Sequence, residues 1–457
     1  MNKKLDNFNK DLENKNVLVL GIGVSNLPLL DYLYEYKANI SIRDKKKLDE
    51  LSDEVREKIN KYNIECVLGD SYLDDLNDYD IIFRSPSILP NIKPLEVAKN
   101  NGVIVTTEIE QVIKLAPCKV IGITGSKGKT TTTTILSTIL EKLNYNVYVG
   151  GNIGTPLFNK IKDMNKEDII VLEMSSFQLM NMEVSPNISI VTNISPDHLD
   201  IHKDYQEYIN AKKYIYLNQN KDDILVLNEE DDIVKDMYKD SIGEVRYFGS
   251  INHNNNYYVK DRDIYYNNEK VIDTKKLLLK GRHNHLNICA ALTAIKDYIN
   301  VDNKKLESIV SDIKSVHHRL EYVRTINGVE WYNDSASTTP DKSMGGLNAF
   351  DEKIVLIAGG YDKNISYEEF GKPIVENCSK LILFGATKDK IYDSVIKQKT
   401  NIEIYKLNTL EEVVNKAYEI AKKGEVVLFS PASASFDMFK NAYQRGDLFK
   451  ELVNKLK

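Results

Sequence analysis

The sequence predicts an α/β fold of three consecutive domains, and three observations carry this. Short runs rich in Val, Ile and Leu alternate with helix-length stretches through most of the 457 residues. That alternation is the pattern of parallel sheets with crossover helices. At ~150 residues per domain, the length corresponds to about three domains. The strand and helix series also restarts twice, near residues 106 and 314, giving expected domains of 1–106, 107–314 and 315–457.

In the first domain, 17–21, 39–43, 80–84 and 103–106 read as buried strands bounded by turn residues. The second domain opens on a strand at 119–124, followed by a Gly-rich turn and a helix over 130–143. Strands at 147–149, 169–173, 188–192 and 224–228 complete it. The Asn- and Tyr-rich stretch 252–270 reads as a polar hairpin or loop. In the third domain, 329–333, 353–358, 380–384 and 425–429 read as strands with helices between them.

Composition excludes several classes. The net charge of −6 provides no global attraction to nucleic acid or to an anionic membrane. Four Cys spread along the chain with no CxxC argue against a disulfide scaffold or a thiolate zinc site, and suit a reducing compartment. No apolar stretch approaches the ~18 residues of a membrane span, and the polar N-terminus lacks the apolar core of a signal peptide. A cytoplasmic protein, acting as a monomer on small molecules, is the expectation.

The strongest chemical signal is GITGSKGKTTT at 122–132, which follows a strand and opens a helix. Such a loop aims backbone N–H groups at phosphate oxygens, and the helix dipole favours the anion. Gly125, Ser126 and Gly128 let the backbone close on the phosphates. Lys129 neutralises them, Thr130 offers a hydroxyl to Mg²⁺, and Thr131 continues the turn. The strict pattern places a Gly five positions before Gly128, where Ile123 stands. A nucleoside triphosphate site is expected.

A second Gly-rich turn, Gly21-Ile-Gly-Val-Ser25-Asn26, is weaker. Its third Gly is Asn26, and Asp44 ends the next strand where a ribose contact would lie. A dinucleotide, a nucleoside-diphosphate sugar and a plain tight turn all fit it.

Six of the seven His fall in three pairs, His198/His202, His283/His285 and His317/His318. His198 follows one strand and Glu173 ends another. In a parallel sheet these strand ends form the ligand crevice, so Thr130, Glu173 and His198 can meet on one or two Mg²⁺ ions. Mg²⁺ prefers oxygen ligands, and a hydrogen-bonded structural role fits His198 as well. Lys212 and Lys213 read by themselves as a solvated helix face. Asp334 ends a strand beside hydroxyl residues, and could bind a ligand or cap a turn.

Taken in order, GITGSKGKTTT, GNIG at 151–154, LEMSSFQL at 172–179, TNISPDHLD at 192–200, GRHNHLN at 281–287, HHRLE at 317–321, YNDSAST at 332–338, AGGYDK at 358–363 and LFSPASASFDMFKNAYQRG at 428–446 resemble the Mur ligases. These enzymes build the peptide stem of bacterial cell-wall precursors. The resemblance spans essentially the whole chain. It implies an N-terminal Rossmann-like domain for a uridine nucleotide, a central P-loop ATPase-like domain with a mostly parallel sheet, and a C-terminal Rossmann-like domain completing an amino-acid site. The SSFQL and SPASASFD…QRG segments are similar to the branch that adds D-glutamate. The implied substrates are therefore ATP, UDP-N-acetylmuramoyl-L-alanine and D-glutamate.

The resemblance also assigns roles. It places Lys129 and Thr130 on ATP phosphates and Mg²⁺, and makes Glu173 and His198 metal positions. Asn152, Ser175 and Gln178 become substrate contacts, as do Ser25, Asp44, Ser85 and Pro86 on the uridine diphosphate side. Lys212 matches a lysine that the family carbamylates to help hold a second Mg²⁺. Asn287 matches an adenine-side contact, His318 and Arg319 a pair near the reacting groups and phosphates, and Asp334 a ribose or active-site contact. Thr338, Lys363 and Ser435 match positions around the D-glutamate carboxylates. Ala336, Ser87 and Ala442 depart from residues common in that branch, and Tyr443 stands beside the last. The implied chemistry is an acyl phosphate attacked by an amine, with His318 a candidate to receive the amine's proton. A depressed pKa is expected for Lys212, from burial and nearby cations.

Neighbouring readings are weaker. Siblings that add lysine or diaminopimelate carry an Asp-Asn-Pro-Arg segment, which this chain lacks. A folate polyglutamylating enzyme lacks the uridine-binding first domain. A nucleotide switch would use Lys129 and Thr130 without requiring Glu173, His198, Lys212, His318 and Asp334 in family order.

Overall fold

The computed structural model describes residues 2–457. The chain forms two compact units. One runs to Lys260 and takes back Tyr265–Glu269 and Leu286–Asp302; the other comprises Asp261–Ile264, Lys270–His285 and Asn303–Lys457.

The first unit holds two sheets. One contains β1 (Asn16–Leu20), β2 (Asn39–Asp44), β3 (Glu65–Leu68), β4 (Ile81–Arg84) and β5 (Ile104–Thr106), in the order β3-β2-β1-β4-β5. All its neighbours are parallel. Successive residues of β1 feed different cores: Val17 and Val19 join one cluster, Leu18 and Leu20 another. Both faces of the sheet are thus covered, which is why the strand reads as a continuous apolar run.

The other sheet contains β6 (Lys119–Thr124), β7 (Val147–Gly151), β8 (Ile169–Glu173), β9 (Ile188–Val191), β10 (Ile224–Asn228) and β11 (Glu244–Phe248), in the order β11-β10-β9-β6-β8-β7. A single apolar cluster runs through both sheets' helices, joining Leu29, Phe83, Phe158 and Leu172, with Tyr32 edge-on to Phe158 at 4.8 Å. This shared core explains why the first expected domain and most of the second fall in one unit, although 261–264, 270–285 and 303–314 belong to the other. Between the sheets, Glu108 accepts the amides of Leu157 and Phe158 at 2.9 Å each. Burial raises its carboxyl to about 7.

The segment expected as a hairpin or loop holds three short strands, β12 (Tyr257–Lys260), β13 (Asp263–Tyr266) and β14 (Glu269–Ile272). Asp261-Arg262 and Asn267-Asn268 between them all have positive φ, the conformation of tight hairpin turns.

The second unit carries β15 (Glu321–Ile326), β16 (Val329–Asn333), β17 (Ile354–Gly359), β18 (Cys378–Phe384), β19 (Glu403–Lys406) and β20 (Val426–Phe429), in the order β15-β16-β20-β17-β18-β19. Only β15 is antiparallel to its neighbour. Ile354, Leu356 and Ala358 of β17 face one core; Val355 and Ile357 face the other, beside Trp331 and Phe449. Among the described residues no helix is long and apolar enough to cross a membrane.

Candidate active site

In the first unit, β6 lies between β8 and β9, with Ile123 opposite both Glu173 and Ile190. The ends of these three parallel strands therefore open side by side. Ile123 is fully buried inside β6, so the glycine expected there would lie in the strand and not in the loop. The backbone freedom is supplied at Gly125 and Gly128, with φ of 147° and 84°. A Cβ at Gly125 would lie 2.0 Å from Thr192 Oγ1, and one at Gly128 2.8 Å from Asn287 Oδ1. Only glycine fits either position.

The loop is held from β9's side. Ser126 N donates to Asn193 O at 2.8 Å, Lys127 N to Asn193 Oδ1 at 2.9 Å, and Thr192 Oγ1 to Lys127 O at 2.7 Å. Ser126 Oγ donates to Ser195 O at 2.9 Å and lies 2.8 Å from the Tyr208 hydroxyl. Ser126 is thus a fastening of the loop. Thr130 and Thr131 are half-buried in the first turn of the helix Lys129–Lys142.

Two lysines share one acceptor here. Lys129 Nζ donates to Gly125 O at 2.8 Å, and Lys212 Nζ donates to the same oxygen at 2.9 Å. The expected solvated face is corrected for Lys212: it is 2% exposed, with its ammonium 4.7 Å from the Tyr208 ring centroid. Lys213, next in the helix Tyr205–Lys213, instead pairs with Asp240 at the surface. Burial, and then the charge of Lys129, lower the Lys212 amine to about 7.

Glu173 is 1% exposed. Its Oε1 accepts from Asn152 Nδ2 at 2.8 Å, whereas Oε2 is buried with no hydrogen-bond partner. A buried carboxylate oxygen left without a donor fits a cation ligand. Among the described residues no three His, Cys, Asp or Glu side chains cluster as a metal cage. His198 is half-exposed in a left-handed turn, φ 53°, with its ring 5.3 Å from Phe177. Its partner in the sequence pair, His202, is buried, stacks on Phe177 at 5.1 Å and bonds Ser176 Oγ at 2.9 Å.

Ser175 and Gln178 form a capping box on the short helix Ser176–Leu179. In the first Gly-rich turn, Asp44 Oδ2 accepts Ile22 N at 2.7 Å and Oδ1 accepts Lys46 N at 2.8 Å. Asn26, at the third-glycine position, donates to Gly21 O at 3.0 Å and so closes the turn with a side chain. Ser25, Ser85 and Pro86 are half-buried around it, and Ser85 Oγ lies 2.9 Å from Ser87 Oγ.

The second unit holds its own cluster at the ends of β16 and β20. Asp334 is 4% exposed. It accepts Leu320 N at 3.2 Å and Ser430 Oγ at 2.7 Å, and burial raises its carboxyl to about 6. Arg319 is exposed between His318 and Leu320, which both have positive φ, 64° and 44°. Two side-chain-bearing residues in that region mark a segment held against its preference.

His318 is 3% exposed. Its Nδ1 accepts from Asn333 Nδ2 at 3.0 Å; the amide's orientation is assigned by Ser335 N donating to its Oδ1 and by Glu321 Oε2 accepting from its Nδ2. Neutral His318 therefore carries its proton on Nε2, 3.6 Å from Asp447 Oδ1, and burial lowers its pKa. Nδ1 is thus engaged by Asn333, whereas Nε2 lies beyond hydrogen-bond reach of Asp447.

Arg445, to which the sequence by itself assigns no role, is fully buried. It donates to Ser335 O and Oγ and to the carbonyls of Ser433 and Ala434, at 2.8–3.0 Å. It thereby ties the Asp334 loop to the loop of Ser435. The QRG in the sequence was the available signal; the burial was not. Thr338 is half-buried, Lys363 exposed and Ser435 buried.

A phosphate loop at the end of a parallel-sheet strand, with a buried lysine against it and a neighbouring strand-end carboxylate that keeps one oxygen without a donor, defines a nucleotide-dependent α/β protein built to gather anions and cations. Comparison with known proteins narrows the class. Three family models match in series: "Mur ligase MurD-like, N-terminal domain" over 15–107, "Mur ligase middle domain" over 123–295, and "Mur ligase, glutamate ligase domain" over 318–433. The chain is 42% identical to UDP-N-acetylmuramoylalanine–D-glutamate ligase of Clostridium kluyveri, covering 99% of this chain and 100% of that one. It is also 42% identical to the Clostridium botulinum (strain Langeland) enzyme of that name, covering 100% of both. The solved UDP-N-acetylmuramate–alanine ligase of Thermotoga maritima shares the fold, with a TM-score of 0.57 at 18% identity over 97% of this chain and 100% of that one. The chain belongs to the Mur ligase family.

Proposed function

We propose that this protein joins D-glutamate to UDP-N-acetylmuramoyl-L-alanine, converting ATP to ADP and phosphate, in cytoplasmic synthesis of the cell-wall precursor. Full-length similarity to ligases of that name supports the substrates. The observation that carries the chemistry is the pair Lys129 and Lys212 on the single Gly125 carbonyl. Two ammonium groups so close repel, unless an anion lies between them or one loses its charge. Both solutions suit a site where a carboxylate must approach ATP.

The carboxylate of the L-alanyl group attacks the γ-phosphorus, forming an acyl phosphate and releasing ADP. The amine of D-glutamate then adds to the acyl carbon, and phosphate leaves. Lys129 and the N–H groups at the start of the helix Lys129–Lys142 offset the repulsion between the two anions. Thr130, Glu173 and His198 would hold Mg²⁺; when bound, the ion would neutralise phosphate charge. Lys212 is the carbamylation candidate: its amine takes up CO₂ and gives up a proton, so that a cation becomes an oxygen ligand. Asn152, Ser175 and Gln178 orient the sugar-peptide substrate, and Ser25, Asp44, Ser85 and Pro86 the uridine diphosphate. Asn287 and Asp334 serve the nucleoside of ATP, and Arg319 its phosphates. Thr338, Lys363 and Ser435 bind D-glutamate.

The direct test is phosphate release from ATP with the nucleotide sugar, Mg²⁺ and a panel of amino acids. Release should require D-glutamate, and ¹⁸O placed in the substrate carboxylate should appear in the phosphate. Oxygen taken from water would mark a simple ATPase and defeat the proposal. For the metal, Glu173→Gln should weaken Mn²⁺ binding in the presence of ADP by about 10–100-fold, read by electron paramagnetic resonance. Unchanged binding would remove Glu173 from the ligand set.

A further inference from the structure

Arg84 belongs to neither set of proposed contacts, yet it bonds a backbone carbonyl close in the chain to each, Ile88 O after Ser85-Pro86 and Met180 O after Gln178. It is the last residue of β4 and immediately precedes Ser85-Pro86. Its side chain does not reach solvent; it is 4% exposed. Nη1 donates to Ile88 O at 2.9 Å, clamping the turn that Ile88 N closes on Ser85 O at 3.0 Å. Nη2 donates to Met180 O at 3.3 Å. Met180 is the C-cap of the helix Ser176–Leu179, whose capping box is Ser175 and Gln178. One buried guanidinium thus joins the turn proposed to hold the uridine diphosphate to the helix proposed to hold the other end of the same substrate.

The surroundings support a rigid link. Glu110 supplies the nearby negative charge and is itself fixed by Thr106 Oγ1 at 3.1 Å and Glu183 N at 2.9 Å. Arg84, Gln178 and Met180 wall a cavity of about 100 Å³. A cation is costly to bury, and here it is held by two carbonyl oxygens and no directly bonded carboxylate. A guanidinium fork reaches two carbonyls at a fixed separation, whereas a lysine offers a point charge on a flexible stem.

We propose that Arg84 is a positioning residue that sets the spacing between the nucleotide end and the acyl end of the substrate. This rests on the function proposed above. It follows that Arg84 matters only for a substrate engaging both segments at once.

The test compares two substrates in the full-length enzyme: UDP-N-acetylmuramoyl-L-alanine, and its truncated form, N-acetylmuramoyl-L-alanine 1-phosphate, which lacks the uridylyl group. Arg84→Met should lower kcat/KM for the full substrate by on the order of 10–100-fold, with the KM for ATP unchanged. On the truncated substrate, wild type and variant should be equal. Arg84→Lys should recover part of the loss, and if Arg84→Met does not fold, the same comparison with Arg84→Lys decides. An equal fractional loss on both substrates, or no loss on either, overturns the proposal. A wild-type protein that turns over no nucleotide sugar would defeat the proposed function instead.

Discussion

Lys212→Ala is expected to lower the ligase rate by about 10³-fold or more, with partial recovery on adding formate or acetate. The side chain is buried against the phosphate loop, and its ammonium shares the Gly125 carbonyl with Lys129. Left as a cation, it adds to the positive charge of Lys129. As a carbamate it supplies an anionic oxygen where charge must be balanced during transfer. The truncated side chain leaves room for a small carboxylate to stand in. With its pKa lowered to about 7, the amine is mostly neutral at pH 8 and reacts with CO₂, whereas a lysine of ordinary pKa would be almost fully charged. Wild-type enzyme freed of CO₂ should therefore lose rate and regain it with bicarbonate, faster at pH 8 than at pH 6. Full activity of the alanine variant, or rescue by methylamine in place of acetate, would eliminate the carbamate.

Asp334→Asn should abolish most activity, by about 10²-fold or more, yet make the protein more resistant to heat near pH 8. Burial raises this carboxyl to about 6 in the fold, against about 3.9 when unfolded. Between those values the folded state binds the proton more tightly, so Asp334 makes stability fall as pH rises from about 4 to 6, and the penalty stays in full above that range. Asparagine keeps the shape without the charge: its Oδ1 can accept Leu320 N, and its Nδ2 can donate to Ser430 Oγ. The gain in Tm should be largest at pH 8 and shrink toward pH 4. A lower Tm at pH 8 would show that the carboxylate's hydrogen bonds outweigh its burial.

The legible part of the fold is the part where one chemical signal dominates. β1, β6 and β17 are short apolar runs because both of their faces are covered, and the phosphate loop is written in consecutive residues. β3, β11, β15 and β19 are not legible in the sequence: they lie at sheet edges and carry exposed polar positions, so neither an apolar run nor a clean alternation marks them. Lys212 was legible only through the family resemblance, since a Lys pair on a helix reads as surface. Arg84, Asn333 and Arg445 each reach a partner remote in the chain, 96, 113 and 110 residues away, and no local pattern records such pairs.

By itself, the sequence determined the α/β class, the strand-to-helix phosphate loop, and the order of the segments shared with the Mur ligases. All of these depend on neighbours in the chain: apolar period, glycine at a turn, hydroxyl and lysine at a helix start. The tertiary structure decided the protonation and engagement of the groups. It buried Lys212 beside Lys129, left Glu173 Oε2 without a donor, engaged Nδ1 of His318 with Asn333, and turned Arg84 inward. These depend on desolvation and on distances between remote segments, which exist only once the chain has packed.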